Sequence, residues 1–214
     1  MNKKLWRECA TRYLLPHLPD GWGVKGKFLY LRPNDWIVCA VHPNRYPGAN
    51  WFKVERLVQL LVRPADHANG PLYQTLIHRE SGGVPALPDT SDTAGRVMTE
   101  VLESIRHEAL PFFDRAGTVD GILDIFQRSS EESPLDTNYL ELLCYLHAIR
   151  GDVAETIQMA DRVLTSPLEL EQGLSNPTLL RVRKVSQLVA SNPEDARSLM
   201  RGWANETWEK ISKK

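Results

Sequence analysis

The 214-residue chain reads as an α+β protein: a mostly antiparallel sheet of about four strands covered by helices, followed by a C-terminal helical bundle. Three observations predict this. Trp36–Arg79 holds three segments rich in β-branched and aromatic residues (Trp36–His42, Trp51–Val62 and Leu72–Arg79) separated by stretches rich in Pro, Gly and Asn. From Asp136 onward the apolar spacing is helical throughout. Between these regions Arg128–Pro134 is polar and rich in helix breakers, so it divides an expected sheet domain, 1–128, from an expected helical domain, 135–214.

Each element has a local reason. Residues 2–15 place Leu5, Trp6, Cys9, Tyr13 and Leu14 on one stripe, predicting an amphipathic helix closed by Pro16 and Pro19. A first strand is expected over Trp22–Leu31, interrupted by Gly23 and Gly26, with Arg32-Pro33-Asn34-Asp35 as the turn after it. Trp36–His42 is almost continuously apolar, as a central strand should be. Trp51–Val62 fits a helical stripe and a strand alternation alike. Its β-branched content and the Arg63-Pro64 stop favour strand.

Glu80–Asp92 is a long irregular connection. Thr93–Ala109 then predicts a helix capped by Asp92 or Thr93 and ended or kinked by Pro111. A short helix over Thr118–Phe126 takes Thr118 as its cap. In the C-terminal region Asp136 is expected to cap a helix over Asn138–Ile149, Gly151-Asp152 turns the chain, and Val153–Leu164 returns. Asn176-Pro177 and Asn192-Pro193 each open a further helix, with Asn as N-cap and Pro at the first helical position, where its missing N–H costs nothing.

Composition bounds the function classes. Met1–Gly70 carries 11 Lys/Arg against 5 Asp/Glu, Pro71–Asn176 carries 7 against 18, and Pro177–Lys214 carries 8 against 4. The net charge of −1 gives no reason to expect nucleic acid or an anionic membrane, whereas the acidic middle third offers a surface to a basic protein partner. Three widely spaced cysteines (Cys9, Cys39, Cys144) without a C-x-x-C pattern fit reduced thiols, and no apolar run approaches the length of a membrane span or a secretory leader. A cytoplasmic location is expected.

Two resemblances follow from particular residues. Tyr139–Pro167, with Leu143, Leu146, the Gly151-Asp152 turn, Ile157, Ala160, Val163 and Pro167, resembles one tetratricopeptide-type helical hairpin. It departs from that family at Thr156, where a small Ala usually opens the second helix, and at His147, where an aromatic is usual. Only one repeat is present, and such arrays need about three to stand alone. Residues 1–128, with their opening amphipathic helix, Gly-rich strand, Phe52–Pro64 strand and Pro111-Phe112-Phe113 step, resemble a group of bacterial α+β proteins. Similar domains occur as immunity proteins of toxins or as accessory proteins in defence loci. The resemblance implies protein binding and carries over no catalytic residue.

Chemistry-bearing motifs are sparse. No H-E-x-x-H, zinc-spaced Cys/His cluster, G-x-S-x-G or P-loop occurs. Gly21, Gly23 and Gly26 match G-x-G-x-x-G in spacing, but a helix precedes them and a strand follows, the reverse of a dinucleotide-binding context. No catalytic residue, cofactor or metal is therefore assigned. Arg181, Arg183 and Lys184 read as helix surface, and His42 and His147 as partly buried polar groups. The loop Asn44–Trp51 is the segment most suited to recognition. Arg45, Tyr46 and Trp51 are the residue types that make interface hot spots, and Asp124, Glu131 and Glu132 represent the acidic face.

The leading expectation is a non-enzymatic protein-binding module of the immunity or accessory class that occludes a basic partner. The alternatives are a hydrolytic enzyme with dispersed residues (Asp66, His67, His78 and Glu80 first) and a scaffold associating through its C-terminal helices.

Overall fold

A computed structural model describes residues 3–44, 51–64, 72–75, 84–85, 93–132, 137–166 and 176–213. The chain forms two compact units. One comprises Met1–Leu61, Ala65–Gly117 and Thr207–Lys214, and the other comprises Val62–Pro64 and Thr118–Glu206. The division thus falls at Gly117/Thr118, whereas the polar stretch Arg128–Pro134 was the expected boundary, and the last residues belong with the sheet.

The sheet unit is an antiparallel meander. Its strands are β1 (Trp22–Lys25), β2 (Phe28–Asn34), β3 (Ile37–Asn44), β4 (Trp51–Leu60) and β5 (Leu72–Thr75), hydrogen-bonded in that order, with the short β6 (Val84–Pro85) paired to β4. The ambiguous Trp51–Val62 stretch is therefore a strand, as its β-branched residues indicated. The expected first strand is a hairpin. Gly26, at φ 59°, takes the left-handed turn conformation that lets Lys25 face Phe28. The next turn falls at Asp35-Trp36 rather than at Arg32–Asp35, with Asn34 opposite Ile37 after an irregularity in register. β3 runs two residues past His42. Beyond Val41 it pairs with β4 alone, so Pro43 sits where its missing N–H leaves no ladder bond to β2 unmade.

One face of the sheet carries Leu29, Ile37, Cys39, Val41, Val54, Val58 and Leu60, all buried. Helices α1 (Lys3–Cys9), α2 (Gly95–Ser104) and α3 (Leu110–Ala116) belong to the same unit. Trp6 of α1 meets Phe52 edge-on at 6.2 Å, and Trp22 meets Phe113 of α3 at 6.0 Å. Burying a ring such as Phe52 contributes on the order of 3 kcal/mol, by the cost of truncating such rings to Ala.

A π-turn at Ala10–Leu14 continues α1, and another at Ile105–Ala109 joins α2 to α3. The second explains why Pro111 fails to end the helix. Leu110 N–H bonds back five residues to the Ile105 carbonyl, so the turn is already widened where the proline ring enters. Ala94 occupies the N-cap position of α2 and makes no side-chain capping bond; of the two expected caps, Thr93 lies one residue earlier and Asp92 lies outside the described residues.

The helical unit contains α4 (Val119–Glu132), α5 (Thr137–Arg150), α6 (Val153–Leu164), α7 (Pro177–Ser191) and the first part of α8 (Pro193–Lys213). Thr118 Oγ1 accepts from Gly121 N–H, Asn176 Oδ1 from Thr178 N–H, and Asn192 Oδ1 from Glu194 N–H, so these three expected caps form, while the expected cap Asp136 lies outside the described residues. Residues Leu140 to Ile149 of α5 are all buried, which identifies α5 as the central helix of the unit. It packs against α4, α6 and α7.

A candidate binding face on the sheet

The second face of the sheet follows from the same alternation. Gly23, Tyr30, Ala40 and Leu57 lie across β1 to β4 in one row, with Lys25 and Phe28 of the first hairpin and the His42–Glu55 pair in the next. A Cβ at position 23 would lie 3.2 Å from the Tyr30 ring, so the missing side chain at Gly23 makes room for that ring.

The polar end of this face is buried. His42 Nε2 lies 3.9 Å from Glu55 Oε2, with both side chains 5% exposed. His42 Nδ1 is 3.3 Å from the Pro43 carbonyl oxygen, which can only accept, so the Nδ1–H tautomer donates there. Phe28 stands edge-on to His42 at 5.4 Å, Lys27 Nζ sits 5.4 Å from the Phe28 ring centre, and Asn44 Nδ2 donates to Glu55 Oε1 at 3.4 Å. Burial, with the Lys27 charge adding to it, pushes the His42 pKa down to about 4, against the smaller opposing effect of the Pro43 hydrogen bond. A buried histidine that titrates so low is a poor proton acceptor at neutral pH. The group is a structural polar cluster, more deeply buried than the sequence indicated.

The apolar end is a groove lined by Lys25, Phe28, Tyr30, Val38, Ala40 and Leu57, roofed by Trp208 and Ile211. Trp208 packs on Tyr30 at a ring-centre distance of 5.0 Å. The enclosed space between these side chains has room for about one water molecule. The space is too small for a substrate of ordinary size unless the roof moves.

The second cluster of buried charge lies in the helical unit. Glu141 has no exposed surface, and its Oε1 accepts from Tyr145 Oη at 2.8 Å and from Arg181 Nη2 at 2.8 Å. Arg63 Nε stands 3.1 Å from Glu141 Oε2, an ion pair without hydrogen-bond alignment, so Oε2 has no hydrogen-bond partner. Arg63 Nη2 donates to Asn138 Oδ1 and Arg181 Nη2 to Thr178 Oγ1. Arg181 is thus turned into the unit instead of lying on the surface. The signal for this was in the sequence: Glu141 interrupts the otherwise apolar Leu140–Leu143 run, and a buried carboxylate requires a cation.

The other expected residues are dispersed. Arg45 and Tyr46, and the alternative hydrolytic set Asp66, His67, His78 and Glu80, lie outside the described residues. Trp51 opens β4 half-buried, opposite Pro85. Asp124 is half-buried on α4 and accepts from Arg128 at 3.0 and 3.2 Å. Glu131 and Glu132 fall in the last turn of α4, and their side chains are outside what the structure describes. His147 is buried and bonded through Nδ1 to Asp152 at 3.1 Å.

Among the described residues no group of three or more His, Cys, Asp or Glu could hold a metal ion, and no helix is long and apolar enough to cross a membrane. Compared with known proteins, the chain matches no family model, no curated protein and no solved structure.

Proposed function

We propose that this chain is a non-enzymatic protein-binding module that meets a basic partner through exposed acidic helix surfaces. The observation that carries this reading is where the ionisable groups lie. His42, Glu55, Glu141 and the three cysteines are buried, while Asp120, Glu155 and Asp161 are exposed on α4 and α6. These exposed carboxylates fall in the segment that carries 18 acidic residues against 7 basic ones. Complementary charge of this kind speeds encounter and fixes orientation more than it sets affinity, and salt screens it within about 10 Å at 0.1 M. The finer reading, an immunity or accessory protein that occludes its partner, follows from the family resemblance of residues 1–128.

Affinity capture of the tagged chain from its native cells, at low and high salt, tests the proposal. One stoichiometric basic protein lost at high salt is expected, and its retention should fall for Asp120→Lys and Glu155→Lys. If only the tagged chain elutes at low salt, the proposal is wrong.

A further inference from the structure

The net charge of −1 conceals a basic ridge on the sheet unit. Lys3–Phe28 carries six Lys/Arg against two Asp/Glu. We propose that the outward side of α1, continued by its π-turn and joined by the β1–β2 hairpin, binds single-stranded nucleic acid.

Helical periodicity sets the ridge. Trp6, Cys9, Ala10 and Leu14 face inward with no exposed surface, which turns Lys3, Lys4, Arg7 and Arg12 outward, and all four are exposed. Glu8 is the only carboxylate within Lys3–Leu14, and it lies 4.0 Å from Lys4. Lys3 to Arg12 spans roughly 13 Å of helix, enough to meet several phosphates of one strand.

Each end of the ridge carries a half-buried aromatic ring. The Arg12 guanidinium carbon lies 5.3 Å from the centre of the Tyr13 ring, and Lys27 Nζ lies 5.4 Å from that of Phe28. Burial is the main cause that lowers the Lys27 pKa, the Lys3 charge lowers it further, and Glu55 opposes both. Ammonium groups from α1 and the hairpin therefore stand near enough to repel one another. A phosphate placed against both would relieve that repulsion.

The occupant follows from this chemistry. A single strand offers phosphates to the cations and unstacked bases, each with a π-face, to the rings. A duplex keeps its bases stacked inside and offers this ridge phosphates alone. A lipid surface would meet the same charge, but the apolar side of α1 is already in the core and does not insert.

Fluorescence anisotropy of the full chain with labelled oligothymidylate and oligouridylate of about 15 nucleotides tests the proposal. Binding is expected at low salt, with a log–log salt slope of about −3, as about four phosphate contacts on a single strand give. Lys3→Glu/Arg7→Glu, a change of two exposed side chains, should weaken binding at least about tenfold and flatten the slope. Phe28→Leu keeps the apolar bulk and removes the π-face, so it should weaken binding at least about fivefold with the slope unchanged. Tyr13→Leu gives the same reading should Phe28→Leu lose its cooperative unfolding transition.

No binding at low salt, or binding that the double charge reversal leaves unchanged, overturns the proposal. Equal affinity for a duplex of the same length, or binding to phosphatidylserine vesicles alone, overturns a single strand as the occupant. If neither aromatic substitution weakens binding, the stacking is overturned. None of these outcomes bears on capture of a basic partner, whose proposed contacts lie on α4 and α6.

Discussion

Arg181 Nη2 lies 2.8 Å from Oε1 of Glu141, whose side chain has no exposed surface, while Arg181 keeps 19% of its own exposed. The pair joins α5 to α7. Its energetic weight lies mainly in what removal of one partner leaves behind. Arg181→Ala leaves a carboxylate buried with only the misaligned Arg63 contact and the Tyr145 hydroxyl. Such orphaning costs about 3–5 kcal/mol. Urea unfolding should show that loss for Arg181→Ala, and the double variant Glu141→Leu/Arg181→Met should recover most of it, because an apolar pair has no charge to desolvate.

His42 gives the acid side of the stability profile. Its folded pKa of about 4 lies below the ordinary value of 6.5, so between these values the unfolded chain binds the proton more strongly. The contribution is fully present above pH 6.5 and is lost as pH falls to 4. The shift corresponds to roughly 3 kcal/mol. Chemical unfolding of wild type and His42→Gln across pH 4–7 should show the wild-type slope flattened in the variant.

The thiols should be inert in the native protein. Burial is the leading cause that pushes the Cys39 and Cys144 pKa values up to about 12 and raises that of Cys9, and the thiolate is the reactive form. Titration with an aromatic disulfide should detect all three cysteines only after guanidinium unfolds the chain. Fast labelling of any one of them under native conditions would contradict the buried placement.

Two substitutions in α8 should stabilise the chain. Gly202→Ala removes a helix-weakening residue where nothing obstructs the new methyl group, and about 0.5–1 kcal/mol is expected. Thr207→Val exchanges the orphaned hydroxyl for a methyl of similar shape, with about 1 kcal/mol expected. Thermal unfolding checks both, and the gains should add if the sites act independently.

The strands, the Asn caps of α7 and α8 and the Gly151-Asp152 turn were legible because each has a local cause: β-branching, a side-chain oxygen one position before a helix, a glycine at φ 92°. What escaped was set by contacts distant in sequence. Trp208 and Ile211 fit the apolar stripe of a helix wherever that helix goes, and nothing local says that they cover Tyr30. Arg181 sits among basic neighbours that look like surface until its partner 40 residues earlier is placed. Pro111 is locally a helix breaker, and only the π-turn before it accommodates the ring. The groove draws on four strands and a helix end, a combination no single window of sequence contains.

The burial of α5 on every side bears on how the helical unit comes into being. A helix with apolar groups around its whole circumference has no stable surface of its own, so it cannot persist as an isolated hairpin with α6 while the other helices are absent. Its amides should exchange with solvent only when the whole unit opens, later than those of α7 or α8. The unit then appears and disappears in one step, and a chain stalled during synthesis before α7 emerges would hold α5 unprotected, as prey for chaperones and proteases.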